Sequence, residues 1–282
     1  MSEMSDESLK RAVDPEELEN PDLMTIYQII KNGIGKLKDK TSVILWSSFI
    51  LLLLWGPRGY PEMIPMDWLR ALVPKFGWRD ELISFLLGFI LLVIIPCCII
   101  KFYFKERLNA YGLGWTNKHV KLGVLAIIVT LVICLPIFYF GTFDIQMQEE
   151  YPLFRDAITT WGGFIVYELV YFLFFINIEF IFRGYLLFGL FGPQKNEPGC
   201  PSAQPLAKPK EGPYFGIYAV LFQMLPYTMW HLSKPMPEYA GTIVWGVAVA
   251  IIALKIRSIW PIIIAHWALN VWVDLLLWTN MP

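Results

Sequence analysis

Residues 161–191 read WGGFIVYELVYFLFFINIEFIFRGYLLFGLF, a run of thirty-one residues that carries only three formal charges, on Glu168, Glu179 and Arg183. About 20 apolar helical residues cross the hydrocarbon of a bilayer, so this run spans with length to spare. It is expected to tilt, or to leave the membrane as an interfacial helix after Arg183 and Gly184. A carboxylate or guanidinium at bilayer depth costs about 2.5–3.5 kcal/mol on the most lenient insertion scale, so such groups persist where they pair or act. Glu179 and Arg183 are four apart and share a helical face, where an ion pair lowers the cost of burying both.

The same character extends outward along the chain. Of 282 residues, 56% are apolar and 17% charged, and with a mean hydropathy of +0.50 the apolar residues gather in long runs bounded by charge and proline, which places the chain in the membrane class. Further candidate spans lie at Ser42–Trp55, Leu82–Ile100, Leu122–Phe140, Tyr214–Leu232, Thr242–Leu254 and Ile259–Trp278. With Gly59–Trp78 as an interfacial or re-entrant segment, the expectation is an all-α, polytopic transmembrane helix bundle of about 7–8 spans. The formal net charge of −1 excludes a broad basic surface for nucleic acid. Lysines and arginines instead sit between apolar runs, and the positive-inside rule applied to Lys31, Lys36, Lys38, Lys40, Lys101, Lys105 and Arg107 places the N-terminus in the cytoplasm of a multi-pass cell-membrane protein.

Three regions are expected: a polar cytoplasmic tail at 1–40, accessory transmembrane helices and interfacial segments at 41–160, and a core at 161–282 that contains a flexible Pro-, Gly- and Lys-rich loop at 192–213. The acid-rich opening lacks the basic start and apolar centre of a cleavable signal, so the first span is expected to act as its own signal. Cys97, Cys98, Cys134 and Cys200 show no CxxC spacing and read as small hydrophobes. The tryptophans of the second half, among them Trp161, Trp230, Trp245 and Trp267, read as interface anchors or packing bulk.

Two further polar islands stand in apolar surroundings: His231, and His266 with Asn270 one helical turn later. Together with Glu179 they supply a carboxylate, two imidazoles and an amide, the parts needed to activate water against a carbonyl. A carboxylate or imidazole takes the proton from water; an imidazole or amide N–H stabilises the oxyanion of the tetrahedral intermediate. Glu179 is expected as base with His231 as its partner, His266 and Asn270 as holders of water or oxyanion, and Arg183 as the group that orients and charge-balances Glu179. Glu168 lies eleven residues before Glu179, within about 20° of its face but about 16 Å away along the axis, and is expected with Tyr227 to line a cavity. Glu179, His231 and His266 are also the ligand types of a catalytic zinc site, yet no HExxH pair supplies two ligands from one turn. The expectation is no obligatory cofactor, with a divalent metal such as zinc as the alternative.

Read together, Glu179-Phe-Ile-Phe-Arg183, Tyr227-Thr-Met-Trp-His231 and His266-Trp-Ala-Leu-Asn270 resemble the EExxxR, FxxxH and HxxxN/D motifs of the CPBP family of intramembrane proteases, also called the CAAX protease and bacteriocin-processing or ABI family. The resemblance covers roughly Tyr167 to Asp274, and Leu108–Trp115 (LNAYGLGW) is similar to the short stretch that precedes that core. It implies hydrolysis of a peptide bond in a membrane-associated protein or peptide, with prenylated C-termini, leader peptides and transmembrane anchors all compatible. Two positions depart from the pattern. Tyr227 replaces Phe and keeps an aromatic ring, while Ile178 stands where the family has its first glutamate, usually assigned to activating water. Neighbouring helical residues point about 100° apart, so Glu179 does not inherit that position without a rotation of the helix or a different water site. Ile178 therefore also admits a catalytically silent scaffold or immunity-type protein, and the same polar groups admit a transporter. Oligomeric state is not legible.

Overall fold

A computed structural model describes residues 23–56, 64–114, 117–192, 213–232 and 234–280. The acidic tail before Leu23 and most of the 192–213 loop, with Cys200, lie outside the described residues. Among the described residues ten helices follow in order: α1 (Leu23–Lys36), α2 (Lys40–Trp55), α3 (Asp67–Leu72), α4 (Arg79–Tyr103), α5 (Asn117–Gly141), α6 (Ile145–Glu150), α7 (Trp161–Phe191), α8 (Tyr218–Trp230), α9 (Met236–Ile256) and α10 (Trp260–Asn280). Short 3₁₀ turns occur at Leu108–Tyr111 and Arg155–Ala157, and no strand occurs among the described residues. The fold is all-α.

Five of these helices are long and apolar enough to cross a membrane, at Arg79–Tyr103, Val120–Gly141, Trp161–Phe191, Met236–Ile256 and Trp260–Thr279. The chain is thus a polytopic membrane helix bundle. Two of the seven candidate spans fall on shorter helices: α2 has 16 residues and α8 has 13. At 1.5 Å per residue these reach about 24 and 20 Å, short of a hydrocarbon core of about 30 Å.

α7 lies at the centre and packs against α4, α10, α2, α8 and α9. It does not leave the bundle after Gly184. The helix is continuous to Phe191, and from Phe180 to Phe188 it widens into a π-helix whose every residue is buried. Such i→i+5 segments are rare and gather at functional sites. α4 also changes register, with π segments at Ile90–Ile94 and Ile99–Tyr103 on either side of Pro96, which has no N–H to donate to the ladder.

Lipid tails are as apolar as the side chains, so close packing and polar tethers hold the helices to one another. Asn177 Nδ2 on α7 donates to the Phe85 carbonyl of α4 at 2.9 Å, and Trp55 Nε1 on α2 donates to the Ser84 carbonyl at 3.2 Å. Gly88 permits this junction, because a Cβ there would come within 2.7 Å of Trp55 Nε1 and 2.8 Å of Asn177 Nδ2. Trp230 Nε1 at the end of α8 donates to the Gly56 carbonyl at 2.9 Å, and its ring stacks on Trp55 at 5.1 Å between centroids. Gln223 Nε2 ties α8 to the Gly246 carbonyl of α9 at 2.8 Å. The turn at Leu108–Tyr111 and the residues after it bridge α7 to α10: the Gly112 carbonyl accepts from Ile259 N at 2.9 Å, and the Leu113 carbonyl from Trp260 Nε1 at 3.1 Å. α5 packs on α10 and α9 at the periphery, with almost all of its apolar surface facing outward.

Candidate active site

Glu179 ends the α-helical part of α7 and is fully enclosed. Its Oε1 accepts from His266 Nδ1 at 2.6 Å, and its Oε2 lies 3.4 Å from Arg183 Nε. Arg183, also fully enclosed, lays its guanidinium over the Tyr227 ring at 3.8 Å from the centroid. That stacking, worth about 2 kcal/mol when desolvated, offsets part of the cost of an arginine whose N–H groups make no hydrogen bond. The Glu179–Arg183 pair thus joins His266: α7 supplies the carboxylate and guanidinium, α10 the imidazole, and α8 the aromatic face of Tyr227.

His266 is held from three sides. Its Nδ1 is on Glu179, and its ring lies 4.8 Å from Phe175 and 5.0 Å from Trp245. A carboxylate only accepts, so Nδ1 carries a proton and Nε2 is the nitrogen left for the cavity. One turn later, Asn270 Nδ2 donates to the His266 carbonyl at 3.1 Å, which uses one of its two N–H groups. His231 caps the C-terminal end of α8, with its Nδ1 2.8 Å from the Tyr227 carbonyl. A carbonyl oxygen also only accepts, so His231 Nδ1 is protonated and its Nε2 keeps a lone pair.

His231, His266 and Asn270 line one cavity of about 340 Å³. α7 contributes Ile178 to its wall rather than Glu179, as expected for adjacent residues about 100° apart on a helix. Glu179 reaches the cavity through His266. Tyr227 does not line it, being sandwiched between Arg183 and His231. Nor does Glu168, which is buried against Asp274 of α10; Asp274 accepts in turn from the Tyr167 hydroxyl at 3.3 Å.

Several lining residues escaped the sequence reasoning. Glu81 of α4, Glu149 and Glu150 of α6, and Lys234 and Glu238 around the start of α9 all face the cavity, so the first half of the chain builds part of its wall. Glu238 Oε1 is 3.9 Å from His231 Nε2, and Lys234 is bonded to Glu150. In the sequence these charges sit at helix ends, where a solvated reading is natural; proximity to His231 depends on the turn between α8 and α9. Trp230 lines the cavity and Trp245 packs on His266, so both belong to the site as well as to the packing. Among the described residues, no three His, Cys, Asp or Glu side chains are grouped to hold a metal ion. The Glu179 oxygens are directed to His266 and Arg183.

The fold and this cavity define a polytopic α-helical membrane protein with a polar site among its helices. Residues 159–272, which include α7 to α10 up to Trp272, match the family model described as Rce1-like, Type II CAAX prenyl endopeptidase Rce1-like. The match supports the CPBP relationship on the stretch that carries all three motifs. No curated protein and no solved structure matches the chain.

Proposed function

We propose that this protein is an intramembrane endopeptidase that hydrolyses a peptide bond of a membrane-associated protein or peptide. The observation that carries the reading is the convergence of His231, His266 and Asn270 on one cavity inside a bundle of membrane helices. Water enters as the nucleophile and its oxygen attacks the scissile carbonyl carbon. His231 Nε2, with its lone pair free, takes the proton and later gives it to the leaving nitrogen. His266 and the second N–H of Asn270 face the oxygen that becomes negative, and donors fixed before the reaction stabilise that charge without reorganisation.

Glu179 has a different part in this scheme from the one its sequence position suggests. Enclosed and bonded to His266 Nδ1, it orients the imidazole and favours a second proton on Nε2, much as the carboxylate of a catalytic triad orients its histidine. Arg183 balances the charge of Glu179, and the chemistry uses protein groups and water alone.

The test is cleavage by the purified full-length chain in liposomes. The probes are a farnesylated CAAX-type peptide, chosen from the description of the matched family, and a single-span transmembrane peptide, each with a fluorophore and quencher across the candidate bond. Hydrolysis of either, reduced about 10²–10⁴-fold by His231→Ala, is expected. Tight retention of both peptides without hydrolysis would favour the scaffold reading that Ile178 in the cavity wall supports.

A further inference from the structure

The cavity wall carries Ile178 from α7 rather than a glutamate, so the hydrolytic reading leaves His231 without a carboxylate from α7 in that wall. A carboxylate approaches His231 from another helix. Glu238 stands in the first turn of α9 and lines the same cavity. Its Oε1 lies 3.9 Å from His231 Nε2, its side chain is 17% exposed, and its Oε2 is buried. The Tyr151 hydroxyl lies beside it. Lys234, the nearby cation, is engaged by Glu150 and stands over the Tyr151 ring.

We propose that Glu238 is the carboxylate that works with His231 on the attacking water, supplying from α9 what position 178 does not supply from α7. This rests on the hydrolytic reading of the cavity. Both facing atoms are acceptors: Glu238 Oε1 is a carboxylate oxygen, and His231 Nε2 is unprotonated because Nδ1 serves the Tyr227 carbonyl. A water about 2.8 Å from each bridges a 3.9 Å gap as a bent link. It donates one hydrogen to each acceptor, which turns its lone pairs toward the cavity and a carbonyl carbon there. As the O–C bond forms, the proton on the His231 side passes to Nε2, and Glu238 faces the resulting imidazolium as counter-charge. When the C–N bond breaks, that proton goes to the leaving nitrogen. The products are one carboxylic acid and one amine, with both histidine and glutamate restored.

The experiment measures kcat and KM for the full-length protein in liposomes with the farnesylated and single-span peptides, for wild type, Glu238→Gln, Glu238→Asp and Glu238→Gln with Ile178→Glu. Glu238→Gln is expected to lower kcat by about 10²-fold or more with KM changed by less than about threefold. Glu238→Asp, which keeps the charge but draws it back by one methylene, is expected to lower kcat about tenfold or more. Adding Ile178→Glu to Glu238→Gln is expected to recover at least about tenfold of the loss, since it returns a carboxylate to the cavity wall from α7. Wild-type kcat in Glu238→Gln overturns the inference and leaves the hydrolytic reading standing on His231→Ala. Should Glu238→Gln not fold, wild-type kcat in Glu238→Asp overturns it equally. A wild-type protein that cleaves neither peptide overturns both.

Discussion

Glu179 shows how one side chain's direction redistributes the roles of its neighbours. It is bonded to His266 at 2.6 Å and ion-paired with Arg183 at 3.4 Å, while Ile178 beside it faces the cavity. Glu179→Gln replaces an anion with a neutral amide at His266 Nδ1, and a loss of kcat on the order of 10²–10⁴ is expected, as for a histidine deprived of its orienting carboxylate. Peptide cleavage in liposomes checks this; an unchanged kcat would remove Glu179 from the site. Arg183→Ala leaves that carboxylate enclosed and unbalanced, and is expected to destabilise the protein by about 3–5 kcal/mol, read as a lowered midpoint of unfolding in detergent. Arg183→Lys is expected to recover only part of this, because an ammonium lacks the planar face that lies on Tyr227 at 3.8 Å.

At the scale of elements, the helix spacings carried most of what was legible. Glu179 with Arg183, and His266 with Asn270, are each one turn apart, so their shared faces followed from period alone. Two things did not. The π segment Phe180–Phe188 leaves no mark in the hydrophobic pattern, because a run buried on all sides has no polar face whose drift would reveal a change of register. Glu238 was missed because a glutamate in the first turn of a helix has a sufficient local explanation in the helix dipole. Only the fold of the short α8–α9 connection places it near His231. The junction of α2, α4 and α7 is similarly a matter of close approach: Gly88→Ala forces a Cβ against Trp55 and Asn177. A loss of about 1–3 kcal/mol is expected in detergent unfolding, and an unchanged midpoint would show that the three helices do not meet there.

For the molecule as a whole, composition placed the chain in the membrane, and five helices of spanning length support that placement. Of the two shorter helices, α8 was read as a full span because its apolar run, Tyr214–Leu232, continues past the helix Tyr218–Trp230, whereas the run Ser42–Trp55 lies within α2 and is itself short. The chamber could not be read, since its walls come from helices throughout the chain, including Glu81 and Glu149 far from the motifs. Chemistry carried by protein groups and water predicts that EDTA leaves peptide cleavage unchanged within about twofold, whereas loss restored by zinc would point to a catalytic metal.

The account depends most on the chamber holding water inside the bundle, and thiol labelling tests this without a substrate. In a background free of native cysteines, Ile178→Cys on the cavity wall and Leu169→Cys on the outer face of α7 differ in what they meet: Leu169 is 63% exposed and points away from the bundle. A charged methanethiosulfonate needs water and an ionised thiol to react. In liposomes it is expected to label Ile178→Cys and to leave Leu169→Cys untouched. A dry, unreactive Ile178→Cys in a protein that unfolds at the wild-type midpoint would contradict the account.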